Sequence, residues 1–95
     1  MPTQIEEIKQ KVLPILQHYG VTRAGLFGSC VRGDLTKDSD IDILVEIKED
    51  ISLLDFIGIK LKLEETLGKK VDLVEYATIK PLLRPYILDE QVIIL

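Results

Sequence analysis

The sequence predicts an α/β fold, of the α+β kind: a small mixed β-sheet with helices packed against it. Three observations predict it. Short apolar runs end at Gly or begin at Asp, as strands bounded by turns do. Longer segments carry apolar residues at helical spacing. The two kinds alternate along the chain, in the order helix, strand, loop, strand, helix, strand, helix.

Each element follows from its residues. Ile5, Ile8, Val12, Ile15 and Leu16 are spaced for one helix face, Glu6 and Glu7 suit its first turn, and Gly20 is a stop. Pro14 has no N–H and crowds the turn before it, so a kink or break is expected there, giving two short helices. Val21 to Phe27 reads as a buried strand. Asp40 to Ile47 reads as a second, with Ile41, Ile43, Val45 and Ile47 on one face and Asp40 and Asp42 starting the other. Ser52, with Asp55 three residues on, opens a helix that carries Leu53, Leu54, Ile57, Leu61 and Leu67, and Gly68 closes it. Val71 to Tyr76 is a third strand. Short helices are expected after Pro81 and again after Pro85, and Val92 to Leu95 forms a strand or a packed tail.

The totals bound the function. A chain of 95 residues is read as a single domain spanning residues 1–95, with little room for a separate substrate domain. A net charge of −4 argues against direct nucleic-acid binding, which needs a basic face. It leaves room for a nucleotide held through divalent metal. The lone Cys30 allows no internal disulfide and fits a reducing compartment. No stretch approaches the roughly 20 apolar residues that span a bilayer. The N-terminal residues carry no signal-peptide pattern. The expectation is a soluble, cytoplasmic protein with no membrane partner.

The chemistry concentrates between Gly28 and Asp42, in GSCVRGDLTKDSDID. Asp40 and Asp42, two apart on a strand, point their carboxylates to the same side. Their mutual repulsion is relieved by a divalent cation, and an oxygen-only donor set suits Mg²⁺. If the second and third strands are neighbours, Asp72 joins them. Three carboxylates on two strands can hold two metal ions about 3.5–4 Å apart, as phosphoryl and nucleotidyl transfer require. Gly28 lets a ligand approach the backbone, and a helix beginning at Ser29 would offer N–H groups to an anion. The Ser29 hydroxyl and the Arg32 guanidinium can add to the same phosphates. The loop thus has a phosphate end and a metal end. Gly-Ser, ten residues, then Asp-x-Asp arises by chance in roughly one chain in a thousand at average composition.

At these residues the chain resembles the minimal nucleotidyltransferases of the DNA polymerase beta superfamily. GSCVRGDLTKDSDIDILVEI followed by VDLVEY carries the resemblance, which extends over nearly the whole chain. It implies a polymerase-beta-like core and Mg²⁺ held by Asp40, Asp42 and Asp72, with Asp72 also helping to activate the attacking hydroxyl. It implies a triphosphate held at Gly28 and Ser29, with ATP as substrate. It further implies an antitoxin that transfers AMP onto a tyrosine of a HEPN-domain toxin; the sequence leaves the oligomeric state, homo- or hetero-, open. Cys30 and Val31 depart from the aromatic and Ala that relatives often carry after Gly-Ser. Two other functions fit the residues: a binding module that neutralises its partner by contact alone, and a transferase acting on a small molecule. No base-reading residue distinguishes ATP from other nucleotides.

The remaining chemistry-bearing residues have plainer readings. His18 suits a surface or helix-end role, and Cys30 suits small buried packing. Glu46 lies too far along its strand for the carboxylate group. Lys69 and Lys70 read as a solvated turn. Arg84 could reach a triphosphate or a partner, and the apolar stretches LLRPYIL and VIIL could supply partner contact.

Overall fold

The structure is a computed structural model that describes residues 4–33, 36, 38–48 and 51–95. The elements are α1 (Gln4–His18), β1 (Val21–Phe27), α2 (Ser29–Arg32), β2 (Ile41–Ile47), α3 (Leu53–Leu67), β3 (Val71–Glu75), α4 (Arg84–Glu90) and β4 (Val92–Ile93). A 3₁₀ turn over Tyr76–Thr78 follows β3. The sheet order is β3-β2-β1-β4, with β2 and β3 parallel and β1 antiparallel to both β2 and β4. The predicted α/β class with a small mixed sheet is what the chain forms.

Helix α1 is continuous through Pro14, against the expected break. The reason is packing. Ile8, Val12 and Leu16, four apart, are buried on one face, while Pro14 and Gln10 are exposed. The carbonyl that Pro14 cannot serve, that of Gln10, lies on the solvent side, where water can satisfy it.

Helix α3 begins and ends where its caps predict. The Ser52 hydroxyl accepts the Asp55 N–H at 3.1 Å. Gly68 takes the left-handed conformation at φ +67° and donates its N–H to the Glu64 carbonyl at 2.8 Å. The buried stripe differs from the expected one. Ile59 and Leu63 are buried and Phe56 and Leu67 pack beside them, whereas Leu53, Leu54, Ile57 and Leu61 are exposed. The helix is apolar on two sides, and spacing alone does not say which side the sheet takes. Of the five apolar residues that the spacing picked out, only Leu67 packs against the core.

The main core lies between one face of the sheet and helices α1 and α3. Ala24, Leu26, Ile41, Ile43, Val45, Val71 and Leu73 supply the sheet side. Leu16, Leu26, Ile43 and Leu63 are fully buried, each contributing about 1.5–3 kcal/mol of transfer free energy. The opposite face carries a smaller cluster, in which Leu44, Tyr76 and Ile79 pack with Phe27, Val74, Ile87 and Leu88. Helix α4 therefore covers only part of this second face. The other end of that face, around Asp42 and Asp72, is where the candidate site residues lie.

The C-terminal region corrects one further expectation and meets another. One helix, α4, replaces the predicted pair, and Pro85 sits in its first turn, where a missing N–H costs nothing. VIIL contributes β4, an edge strand paired with Gly25 and Leu26, and Ile94 is buried.

Candidate active site

Strand register builds the site. In the parallel pair, Asp42 stands directly opposite Asp72, so both side chains leave the same sheet face from strands about 4.8 Å apart. Strand β1 ends beside them: Phe27 pairs with Asp42, and Gly28 follows at once. Asp40 sits one residue before β2, exposed to solvent. The turn that precedes it is tied down. The Thr36 N–H donates to the Ser39 hydroxyl at 3.0 Å, and Lys69 Nζ donates to the Thr36 carbonyl at 2.8 Å. Lys69 is thus a loop tether rather than a purely solvated residue. Other parts of this loop that the sequence singled out, including Asp34 and Leu35, lie outside the described residues.

Gly28 is required by its surroundings. Its backbone has φ +76° and ψ −148°, a region essentially restricted to glycine. A Cβ placed there would overlap the Asp42 carboxylate. The close approach is what brings the Gly-Ser step to the acidic residues. Helix α2 starts at Ser29, as expected, and its Val31 and Arg32 N–H groups turn back to the Gly28 carbonyl at 3.1 Å. Cys30 is buried, with Sγ donating to the Phe27 carbonyl at 3.3 Å. Burial, and then the negative charge of Asp42, raise its pKa, which suits packing rather than thiolate chemistry.

Asp42 is the electrostatic centre. Its pKa is pushed up to about 6, first by burial and then by the like charges of Asp72 and Asp40, with Glu90 adding to them and Arg32 opposing. Among the described residues, no three acidic, His or Cys side chains already converge at metal-ligand distance. The donor set nevertheless fits a hard divalent cation. It is all carboxylate oxygen, and the charges of Asp72 and Asp40 raise the Asp42 pKa, an effect that a cation between them would reverse.

A cleft of about 310 Å³ beside Asp42 is lined by Phe27, Gly28, Arg32 and Asp42 from the strand side and by Tyr86, Ile87 and Glu90 from α4; Ser29, Asp40 and Asp72 are not among its lining residues, and Asp40 faces a separate hollow with Lys69 and Lys70. A larger hollow of about 400 Å³, between α3 and β3, is lined mainly by Ile51, Leu53, Phe56, Leu73 and Val74. It includes none of the signature residues, whereas the smaller cleft includes Gly28, Arg32 and Asp42.

Glu90 is the residue that the sequence reading missed. Its Oε1 accepts the Gly28 N–H at 2.8 Å and the Arg32 Nη1 at 3.0 Å. It lies 62 residues from Gly28, so no local pattern announces the contact. Arg84, by contrast, donates to the Tyr76 carbonyl at 2.7 Å and so anchors α4. Glu46 is exposed on β2 opposite Arg23, away from the carboxylate end, and His18 makes an edge contact with Tyr19.

A nucleotidyltransferase domain family matches residues 5–94. The chain belongs to this nucleotidyltransferase family. It is 53% identical over 91 residues to a Methanocaldococcus jannaschii protein provisionally named a protein adenylyltransferase, covering 96% of this chain and 98% of that one. It is 45% identical over 76 residues to the protein adenylyltransferase MntA of Thermococcus cleftensis, covering 80% of this chain and 77% of that one. A solved structure provisionally named a minimal nucleotidyltransferase superposes with a TM-score of 0.80 at 38% identity, over 93% of this chain and 90% of the other. At 21% identity the fold is also shared with a chain of the complex between tri-AMPylated Shewanella oneidensis HEPN toxin and its MNT antitoxin. There the TM-score is 0.74, over 94% of this chain and 70% of that one. The nucleotidyltransferase described here is thus an enzyme of the nucleotidyl-transfer class. No helix among its described residues is long and apolar enough to cross a membrane.

Proposed function

We propose that this nucleotidyltransferase moves AMP from ATP onto a tyrosine hydroxyl of a HEPN-domain toxin, and so acts as its antitoxin in the cytoplasm, with residues 1–95 working as one unit. The observation that carries the reading is the placement of Asp42 opposite Asp72, with Gly28 against the Asp42 carboxylate. The names of the M. jannaschii and T. cleftensis relatives support protein adenylylation, and the S. oneidensis complex supports a HEPN partner.

In this reading Gly28, Ser29 and Arg32 hold the triphosphate, through backbone, hydroxyl and guanidinium respectively. Asp40, Asp42 and Asp72 would hold Mg²⁺, as two ions. When bound, Mg²⁺ supplies charge neutralisation at the phosphates and lowers the cost of the developing negative charge. Asp72, at the open edge of the group, orients the acceptor hydroxyl and takes its proton. The acceptor oxygen bonds to the α-phosphorus, the bond from that phosphorus to the bridging oxygen of the β-phosphate breaks, and pyrophosphate leaves. Tyr86, 75% exposed, lines the cleft, and Leu82, 86% exposed, lies just before the same helix, so α4 presents an apolar rim suited to a docked protein acceptor.

The test is incubation of the purified chain with its HEPN partner, Mg²⁺ and each nucleoside triphosphate in turn, followed by intact mass of both proteins. The reading expects the partner alone to gain the mass of AMP, with ATP. A tight complex with no gain from any nucleotide would replace it with neutralisation by contact.

A further inference from the structure

One oxygen of Glu90 stands where a backbone N–H and a guanidinium converge. That pair of donors is what a phosphate oxygen takes at such a site. Local forces do not explain the position. Glu90 is the last residue of α4 and follows Asp89, and a carboxylate at a helix C-terminus faces the negative end of the dipole. Asp42, across the cleft, repels it further. The contacts to Gly28 and Arg32 are what hold it there.

The backbone beside Glu90 is fixed. The Gln91 N–H donates to the Ile87 carbonyl at 3.0 Å, and the Tyr76 hydroxyl donates to Gln91 Oε1 at 2.6 Å. Just beyond, β4 is laddered to β1, and Ile94 donates to the Ala24 carbonyl at 3.0 Å. The Glu90 side chain itself is one-third exposed, so it can swing to solvent while the helix stays in place.

We propose that Glu90 is an intramolecular gate: its carboxylate occupies a phosphate subsite in the ligand-free enzyme, and an incoming polyphosphate expels it and takes over the Gly28 N–H and Arg32. The proposal rests on the nucleotide reading of this cleft. It makes the ligand-free enzyme self-occluded at one anion position. A contact closed about nine-tenths of the time weakens apparent affinity about tenfold.

Titration calorimetry of wild type, Glu90→Gln and Glu90→Ala with inorganic pyrophosphate and with Mg·ATP tests it, with thermal unfolding of each protein as the check on folding. The gate predicts that both variants bind both ligands about tenfold more tightly. Unchanged affinity overturns it. Weaker binding also overturns it, and would make Glu90 a positioning residue that holds Arg32 for the ligand. If wild type and both variants bind neither ligand, the nucleotide reading of the cleft fails and the gate fails with it. If the variants bind more tightly but transfer no AMP, the gate stands and only the transfer reading is in question.

Discussion

Asp42→Asn is expected to make the metal-free protein more stable at neutral pH while ending its chemistry. The Asp42 carboxyl has its pKa raised from 3.8 to about 6 by burial and by the charges of Asp72 and Asp40. Between those two values the native state keeps a proton that the unfolded chain has lost, so stability falls as pH rises from about 4 to 6 and then levels off. Below the lower value both states are protonated and the residue contributes nothing. At pH 7.5 the ionised carboxylate therefore costs stability, and Asn removes that cost without changing the side-chain shape. Because the group is only partly buried, solvent screening reduces the gain to about 1 kcal/mol. For a chain of this length that corresponds to a rise of about 4–8 °C in Tm. The assay is thermal unfolding in a chelating buffer at pH 4 and pH 7.5. The expected result is a gap at pH 7.5 that closes at pH 4. Equal Tm at both pH values, or a less stable variant at pH 7.5, would refute the electrostatic account of the site. Adding Mg²⁺ should then stabilise wild type more than the variant, since a ligand stabilises only the state that binds it.

Two further outcomes follow from the geometry. Gly28→Ala places a methyl group into the Asp42 carboxylate at a backbone conformation that alanine resists, so unfolding should show a loss of about 1–3 kcal/mol, and calorimetry should show loss of ATP binding. Ser52→Ala removes the acceptor for the Asp55 N–H at the start of α3, far from the cleft, so it should cost about 1 kcal/mol in denaturant titration and leave transfer unchanged.

The parts of this enzyme that were legible in its sequence are those fixed by local rules. The caps of α3 at Ser52 and Gly68 follow from short-range hydrogen bonding. The alternation of Asp42 with the buried Ile41 and Ile43 follows from the two-residue period of a strand. The neighbouring placement of Asp72 could only be stated conditionally, because strand order is a long-range fact; the parallel β2–β3 pairing meets that condition. Pro14 misled because a local penalty on the solvent face is outweighed by burial of Ile8, Val12 and Leu16 on the other. The stripe of α3 misled for a related reason, since both of its sides are apolar and the sheet selects one. Glu90 was invisible because its role depends entirely on partners 58 and 62 residues away.

The central proposal is that Asp42 and Asp72, opposite one another on β2 and β3, with Gly28 against Asp42, carry out AMP transfer. The most direct measurement is the single-turnover rate of AMP transfer from Mg·ATP to the HEPN partner by wild type and by Asp42→Asn. Folding of the variant is established by the unfolding experiment above. The account predicts a rate reduced at least about a thousandfold in a protein as stable as wild type or more so. Transfer by Asp42→Asn at a rate near that of wild type would contradict it.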